Sequence, residues 1–298
     1  MGINTELTGY KTGKRISTIS EKSVKKYLEA INSVNPFYSK SKYVPPMFNV
    51  VLEIAHIQEL WESEELHGSK EEAEKNVLML VHGEQKMIFK RLLKRGEEIT
   101  THSLIEDVQD KGKHYIIFLK SVHEDSNAKE VGLSYWTLFI RAEDSKLQTN
   151  TPKKESKPKP QTEIEERNFV LDKDFHIPDG ITHKYAEASG DHNKIHIDLE
   201  YAKKAGLEGV IVHGLCTMAM AIEQITDNYF KGLPGEIKDV NLRFSSPVWP
   251  GNDLTVRGWL ENDEVPTLSF EVNRLNSNTK VIKSGHLNFR PAVDHLEF

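Results

Sequence analysis

The chain has 298 residues, more than one small core usually holds, which predicts two domains of ordinary size. It carries 39 basic and 45 acidic residues, a net charge of −6, with no long basic stripe, so no nucleic-acid partner is expected. A lone cysteine, Cys216, excludes an internal disulfide framework, and no apolar run near the start has the length of a signal peptide or a membrane span. We therefore expect a cytoplasmic protein with no membrane partner.

The first half of the chain begins with an apolar helix and continues with strands. The helix is predicted in PPMFNVVLEIAHIQELW, whose two prolines stand where a helix start tolerates them. A charged segment, ESEELHGSKEEAEKN (62–76), follows it. HYIIFLKSV and SYWTLFIR then carry the β-branched and aromatic residues that are typical of strands.

The strongest change of composition lies between residues 145 and 163. Apolar side chains nearly vanish there, while Lys, Pro, Ser and Thr accumulate. Such a stretch cannot bury surface and favours extended, solvated backbone. We therefore divide the chain into a first domain at 1–144, a linker at 145–163 and a second domain at 164–298.

The second half repeats the order of the first. In HGLCTMAMAIEQI one helical stripe is apolar and predicts a largely buried helix; it contains Leu215, Met218, Ala219, Ile222 and Ile225. Strand-like runs follow in DLTVRGWLE, TLSFEVNRL and KVIKSGHLNFR. Consecutive strands after a single buried helix predict an antiparallel sheet wrapped on that helix, which is an α+β layout.

The two halves also share identical residues at matching positions. KYLEAINSVNPFY (26–38) and KYAEASGDHNKIH (184–196) align without gaps, and FKRLLKRGEEIT aligns with FSSPVWPGNDLT in the same order. The halves are therefore expected to be copies of one fold. Ser33 and Tyr38 stand opposite Asp191 and His196, so any chemistry of the second pair has been lost from the first copy.

One stretch of the second half carries a family resemblance. YAEASGDHNKIHIDLEYAKKAG followed by GVIVHGLCTMA resembles the hydratase 2 motif of the MaoC-like (R)-specific enoyl-CoA hydratases, and VNLRFSSPVWPGNDL is similar to the strand pair that follows it. VPPMF and LVHGEQKMIF resemble the degenerate N-terminal half of the two-domain members. The resemblance implies a double hot-dog fold, an antiparallel sheet wrapped around two long helices, with a catalytic second half and no cofactor.

The resemblance implies hydration of trans-2-enoyl thioesters to (R)-3-hydroxyacyl thioesters, or the reverse dehydration. This chemistry needs a base, an acid and a group that stabilises negative charge. Asp191 and His196 can hold one water between them, and their spacing leaves open which is acid and which is base. Asn193 can orient that water, and Gly214 begins a helix whose unpaired amides can stabilise the thioester oxygen.

Two further residues are assigned to substrate binding. His213 precedes the helix and is expected to fix the loop beside the substrate. Lys194 stands where the family usually has proline. A proline would stiffen the turn, so the lysine is expected to loosen it or to bring a charge near a phosphate. The expected substrate is an acyl-CoA or a thioester of acyl carrier protein, and both stay open because the two carriers share the pantetheine arm. A homodimer is also expected.

The same residues allow other interpretations. A short Asp/Asn/His run is often a polar turn that bonds its own backbone, and a non-catalytic thioester-binding subunit would retain the motif as such a turn. A thioesterase would need water aimed at the carbonyl carbon. No Cys pair or His-Glu-x-x-His helix accompanies His192, His196, Asp191 and Asp198, so no metal is predicted.

Overall fold

The computed structural model describes residues 2–141, 167–262, 264–277 and 279–290. The predicted linker and both of its boundaries lie outside these residues. The α-helices are α1 Glu21–Ala30, α2 Pro36–Lys40, α3 Asn49–Trp61, α4 Glu64–His67, α5 Lys70–Leu78, α6 Ile181–Ser189, α7 Leu199–Lys204 and α8 Gly214–Asn228. The strands are β1 Arg15–Thr18, β2 Leu80–Phe89, β3 Glu98–Asp110, β4 His114–Glu124, β5 Glu130–Arg141, β6 Leu171–His176, β7 Ile237–Phe244, β8 Asp253–Leu260, β9 Thr267–Arg274 and β10 Thr279–Phe289. None of the helices among these residues combines the length and apolar character needed to cross a bilayer.

All the strands form one antiparallel sheet that runs through both halves of the chain. The order in the ten-stranded sheet is β1-β3-β4-β5-β2-β7-β10-β9-β8-β6, so the second half mirrors the first. The halves join at the centre, where Glu84 to Ile88 of β2 pair with Arg243 to Asp239 of β7. Helices α3 and α8 contact the sheet strands, and their buried faces form one continuous core. The predicted α+β double hot-dog is therefore confirmed.

Two glycines show how closely the halves repeat each other. Gly96 and Gly251 lie before β3 and β8, with φ values of 77° and 80°. Residues other than glycine rarely adopt this left-handed backbone conformation. The amide of Gly96 donates to the carbonyl of Ile19 at 2.8 Å, and the amide of Gly251 donates to that of Ile177 at 2.8 Å. The same turn is thus built twice, as the aligned sequences predict.

The charged segment at 62–76 contributes two short helices, α4 and α5, between α3 and β2. The buried ring of His67 ties them to the end of α3, because its Nε2 donates to the carbonyl of Trp61 at 2.6 Å. The side-chain amide of Asn76 donates to Nδ1 of the same ring at 3.0 Å. Buried hydrogen bonds therefore attach this segment to α3, although its exposed faces are highly charged.

Candidate active site

The loop that follows α6 is shaped by its own polar side chains. The amide of Asp191 donates to Oγ of Ser189 at 3.1 Å, and the amide of Asn193 donates to Oδ1 of Asp191 at 3.1 Å. Asn193 Oδ1 in turn accepts from the amide of Ile195 at 3.2 Å. Such turns are the ordinary structural use of these residue types. The loop nevertheless leaves Asp191 and His196 on the wall of a cavity.

His196 is fixed in one tautomer by a backbone carbonyl. Its Nδ1 lies 2.8 Å from the carbonyl oxygen of Ile211. A carbonyl can only accept, so Nδ1 carries the proton and the neutral ring has its lone pair on Nε2. Burial lowers the pKa of His196, against the charge of Asp191, which raises it. The ring is therefore a neutral base at neutral pH.

His213 supports the loop and the ring of His196. Its Nε2 donates to the backbone carbonyl of Asp191 at 3.0 Å. Its ring stacks on that of His196, with 3.8 Å between the centroids and 28° between the planes. Burial lowers the pKa of His213 well below its ordinary value, and the neighbouring His196 lowers it further. A neutral, buried His213 thus holds both members of the pair in place; its contact with substrate stays a prediction.

Helix α8 begins immediately after His213. The first amides that donate within the helix are those of Cys216 and Thr217, at 3.0 Å and 3.1 Å from the carbonyl of His213. A helix start leaves the preceding amides without an intrahelical acceptor, here those of Gly214 and Leu215. Gly214 also lies against a ring, because a Cβ built on it would be 3.2 Å from Cζ of Phe244. Glycine therefore leaves the helix start open beside the cavity.

The cavity has a volume of about 650 Å³ and brings most of the predicted site residues together. Its lining includes Asp191, Asn193, His196, His213 and Gly214. Lys194 is not part of that lining: its side chain is exposed, and its ammonium lies 5.6 Å from the ring centroid of Tyr201. The role of Lys194 in substrate binding stays a prediction.

Both halves of the chain line the cavity, although none of the lining residues of the first half was predicted from the sequence. Three of its aromatic rings, those of Trp61, His82 and Trp136, face the same space as the motif. The only hint is the tripeptide Val-His-Gly at 81–83, which recurs at 212–214. These positions do not correspond in the repeat, so the alignment conceals their proximity.

Asp191, His196 and His213 also have potential ligand atoms within 4.8 Å of one another. Metal-ligating imidazoles point the edges of their rings at the ion, with Zn–N distances of about 2.0 Å. The rings of His196 and His213 instead lie face to face. Their lone pairs therefore run in neighbouring planes and do not converge on one point.

The corresponding place in the first half has lost the pair but remains polar. Oγ of Ser33 donates to Oε2 of Glu223 at 2.7 Å, and Oη of Tyr38 donates to Oε1 at 2.9 Å. Glu223 belongs to α8 and is buried. Asn35 retains the turn of Asn193, because its Oδ1 accepts from the amide of Phe37 at 2.9 Å. The loop is thus preserved while its reactive side chains are replaced.

Comparison with known proteins finds a family match in each half of the chain. The family model of the MaoC like domain matches residues 149–281, and that of the FAS1-like dehydratase domain region matches residues 6–132. A protein named probable enoyl-CoA hydratase 2 of Dictyostelium discoideum is 28% identical over 218 residues, covering 70% of this chain and 69% of its own. Peroxisomal enoyl-CoA hydratase 2 of Arabidopsis thaliana is 27% identical over 219 residues, covering 71% and 69%.

The fold also agrees with solved structures. The MaoC-like dehydratase from Phytophthora capsici superposes with a TM-score of 0.74 at 23% identity, covering 94% of this chain and 96% of that chain. The two matched models extend from residue 6 to residue 281, and the motif residues meet in one cavity. The second half therefore carries a MaoC like domain and the first half a FAS1-like dehydratase region, and the chain is similar to the proteins named enoyl-CoA hydratase 2.

Proposed function

We propose that the protein adds water to trans-2-enoyl-CoA thioesters to give (R)-3-hydroxyacyl-CoA, and catalyses the reverse dehydration. The observation that carries this proposal is the meeting of Asp191, His196 and the start of α8 on one cavity wall. The names of the family relatives, enoyl-CoA hydratase 2, support the same reaction. The cavity volume is within the range of about 300 to 1,000 Å³ that is usual for small-molecule sites.

The water is held between two acceptors. The Asp191 carboxylate and Nε2 of His196 each take one of its hydrogen bonds, since potential ligand atoms of the two residues lie within 4.8 Å. His196 accepts a proton as the water oxygen attacks the β carbon. The imidazolium that forms is stabilised by the charge of Asp191, which raises the pKa of the ring.

His196 begins the hydration with Nε2 unprotonated, because the proton of the neutral ring is on Nδ1 and donates to the carbonyl of Ile211. The proton delivered to the α carbon is therefore the one that His196 has just removed from the water. One water thus supplies the hydroxyl group and the proton to the same face of the double bond. In the dehydration direction the same ring removes the α proton and returns it to the departing hydroxyl group.

Negative charge that develops on the thioester oxygen is stabilised at the start of α8. The amides of Gly214 and Leu215 are the donors that the helix leaves available. A helix start also carries a partial positive charge of about half a unit. Donors of this kind contribute about 10²- to 10³-fold in rate in other enzymes.

Two other functions use the same residues differently. A thioesterase would direct the water at the carbonyl carbon and release free coenzyme A. A non-catalytic subunit would bind the thioester unchanged. A base beside a helix start would serve a thioesterase as well, so the hydratase is favoured by the relatives, which are named enoyl-CoA hydratase 2.

The test follows the absorbance of trans-2-octenoyl-CoA and identifies the product on a chiral column. We expect the (R)-alcohol from the wild-type protein and a loss of about 10²- to 10⁴-fold in both Asp191→Asn and His196→Ala. Asp198→Asn and His192→Ala are matched controls, since both residues are exposed near the same loop. Release of free coenzyme A would establish a thioesterase, and binding without turnover would establish a binding subunit.

The proposal also covers the carrier of the acyl group, the oligomeric state of the protein and its location in the cell. Lys113 and Arg243 line the cavity and offer positive charge to the phosphates of coenzyme A. An acyl carrier protein presents the same thioester, so parallel assays with both carriers decide between them. We place the enzyme in the cytoplasm as a homodimer, which sedimentation of the purified protein and cell fractionation test.

A further inference from the structure

Four aromatic rings form a row that leads from the start of α8 into the first half of the chain. The ring of Phe244 lies against Gly214, and the ring of His82 follows with its centroid 4.9 Å away. His82 stacks on Trp136 at 4.6 Å and 10°, and Trp136 meets Trp61 edge-on at 6.4 Å. All four rings line the cavity that contains Asp191 and His196. The row therefore begins at the helix start that is proposed to stabilise the thioester oxygen.

A bulge in β2 places His82 in this row. Gln85 pairs with Trp136, and His82 pairs with Leu138, so three residues of β2 span two residues of β5. Side chains alternate between the faces of a strand, and a regular strand would turn His82 and Gln85 to opposite sides. The extra residue, Gly83, brings them to the same face as Trp136.

His82 contributes a flat, uncharged ring to the row. Its Nε2 donates to the carbonyl of Glu84 at 3.1 Å, which fixes the ring between its two neighbours. Burial lowers the pKa of His82 to about 4, so the imidazole is neutral at neutral pH. The rings of Trp136 and Phe244 both pack against it. This part of the cavity thus offers successive ring faces and edges.

Such a wall favours a planar acyl group. Aromatic rings attract one another in stacked or edge-to-face arrangements at centroid distances of about 4.5 to 7 Å, beyond the effect of buried area alone. A flexible alkyl chain is stabilised only by the burial of its apolar surface, and it loses conformational freedom when it is confined. A ring attached to the β carbon would reach the row directly, because the row begins at Gly214.

We propose that the aromatic row of Phe244, His82, Trp136 and Trp61 selects acyl thioesters that carry an aromatic or conjugated ring on the β carbon, over straight-chain thioesters of similar size. This inference rests on the proposed function, since it names the acyl class taken by the same site. An aryl enoyl thioester is stabilised by conjugation, so the measurable direction is dehydration. The Cα–H and Cβ–O bonds break, the C=C bond forms, and water leaves.

The experiment compares kcat/KM for dehydration of racemic 3-hydroxy-3-phenylpropanoyl-CoA and racemic 3-hydroxyoctanoyl-CoA by the purified full-length enzyme. We expect the wild-type ratio to favour the aryl substrate. His82→Leu removes the central ring and lowers that ratio by about 2- to 10-fold, the value of one aromatic contact. His82→Phe restores a ring without the imidazole nitrogens and keeps the ratio within about twofold of the wild type.

Two outcomes would overturn the inference while leaving the hydratase function intact. One is a wild-type enzyme that strongly prefers the octanoyl substrate, and the other is a ratio that does not change in His82→Leu. If neither substrate is turned over, the proposed function fails. Tryptophan fluorescence titrations with cinnamoyl-CoA and octenoyl-CoA then still test the row, because equal dissociation constants for the two would contradict it.

Discussion

Tyr38, at the position that corresponds to His196 in the repeat, donates a hydrogen bond of 2.9 Å to Glu223 of α8. Ser33, which corresponds to Asp191, donates to the other carboxyl oxygen at 2.7 Å. Burial raises the pKa of Glu223 to about 7, against both hydrogen bonds, which lower it. The two positions that lack the aspartate and histidine of the second half therefore hold a carboxyl group of α8, the helix that begins beside the cavity.

The stability of the protein is expected to depend on pH through Glu223. The pKa of its carboxyl is raised from 4.5 to about 7, so the folded state binds the extra proton between these values. The free energy of unfolding therefore falls as pH rises through this range. Glu223→Gln removes the buried charge. We expect the free energy of unfolding of this variant to exceed that of the wild type by up to about 3 kcal/mol near pH 8 and to equal it near pH 4.5.

Urea unfolding at both pH values measures this difference. Glu200→Gln is the control, because Glu200 is exposed on α7 and its replacement is expected to leave the pH dependence unchanged. A Glu223→Gln variant with the same advantage at both pH values would show that the carboxyl does not titrate in this range.

The hydratase activity is expected to fall at acid pH through protonation of His196. Burial lowers the pKa of the ring below 6.5, so the base form persists at neutral pH and kcat/KM declines only below that value. Asp191→Asn removes the charge that raises this pKa. We therefore expect NMR titration of the His196 ring to move to still lower pH in Asp191→Asn and to stay in place in Asp198→Asn. An upward movement would contradict the assigned geometry.

The contact between Gly214 and Phe244 is expected to limit activity when a methyl group is added. A Cβ at position 214 would lie 3.2 Å from the ring, so Gly214→Ala must displace either the ring or the helix start. We expect kcat to fall by about 10²-fold with a change in stability below about 1 kcal/mol. Phe244→Leu in the same chain relieves the contact and is expected to restore part of the loss. A fully active Gly214→Ala variant would show that the helix start is not used.

Removal of metal ions is expected to leave the activity unchanged. The rings of His196 and His213 are stacked face to face and so do not direct their lone pairs at a common point, although the three ligand atoms lie near one another. Dialysis against a chelator followed by elemental analysis and the octenoyl-CoA assay checks this expectation. A loss of activity that added zinc reverses would assign the cluster to a metal.

The insertion at 62–76 is expected to affect the preferred size of the acyl group. Trp61 and Leu78, at its two ends, line the cavity, and the hydrogen bonds of His67 clasp it to α3. Replacing the segment by a short linker would free both lining residues to move. We expect the chain-length profile over C4 to C12 enoyl-CoAs to shift, and an unchanged profile would count against this role.

Much of the fold could be predicted because local and repeated signals agree. The apolar stripe from Leu215 to Ile225 lies within α8, and the strand-like runs of the second half coincide with β8, β9 and β10. The repeat added the long-range information that a single pattern lacks. Gly96 and Gly251 align in sequence and make the same turn, so the two halves had to share one topology.

The first-half wall of the cavity could not be predicted in the same way. His82 faces the cavity because a bulge at Gly83 reverses the alternation of β2. A glycine within a strand marks a bulge, a bend or a close backbone approach alike, so the sequence does not single out this bulge. The contact of Ser33 and Tyr38 with Glu223 joins residues about 190 positions apart, and depends on how the two copies pack. The turns of the motif loop could be predicted because neighbouring residues form them, whereas the rest of the cavity wall comes from distant parts of the chain.

The seam between β2 and β7 has an evolutionary consequence. When two identical chains pair through such a seam, every mutation appears twice, and neither active site can be lost without the other. Joining the copies in one gene removes that constraint, because each half then mutates separately. Here the second half carries Asp191 and His196, whereas the first half carries Ser33 and Tyr38 at those positions and contributes His82 and Trp136 to the cavity wall. A single chain can thus build one cavity from two halves whose walls differ.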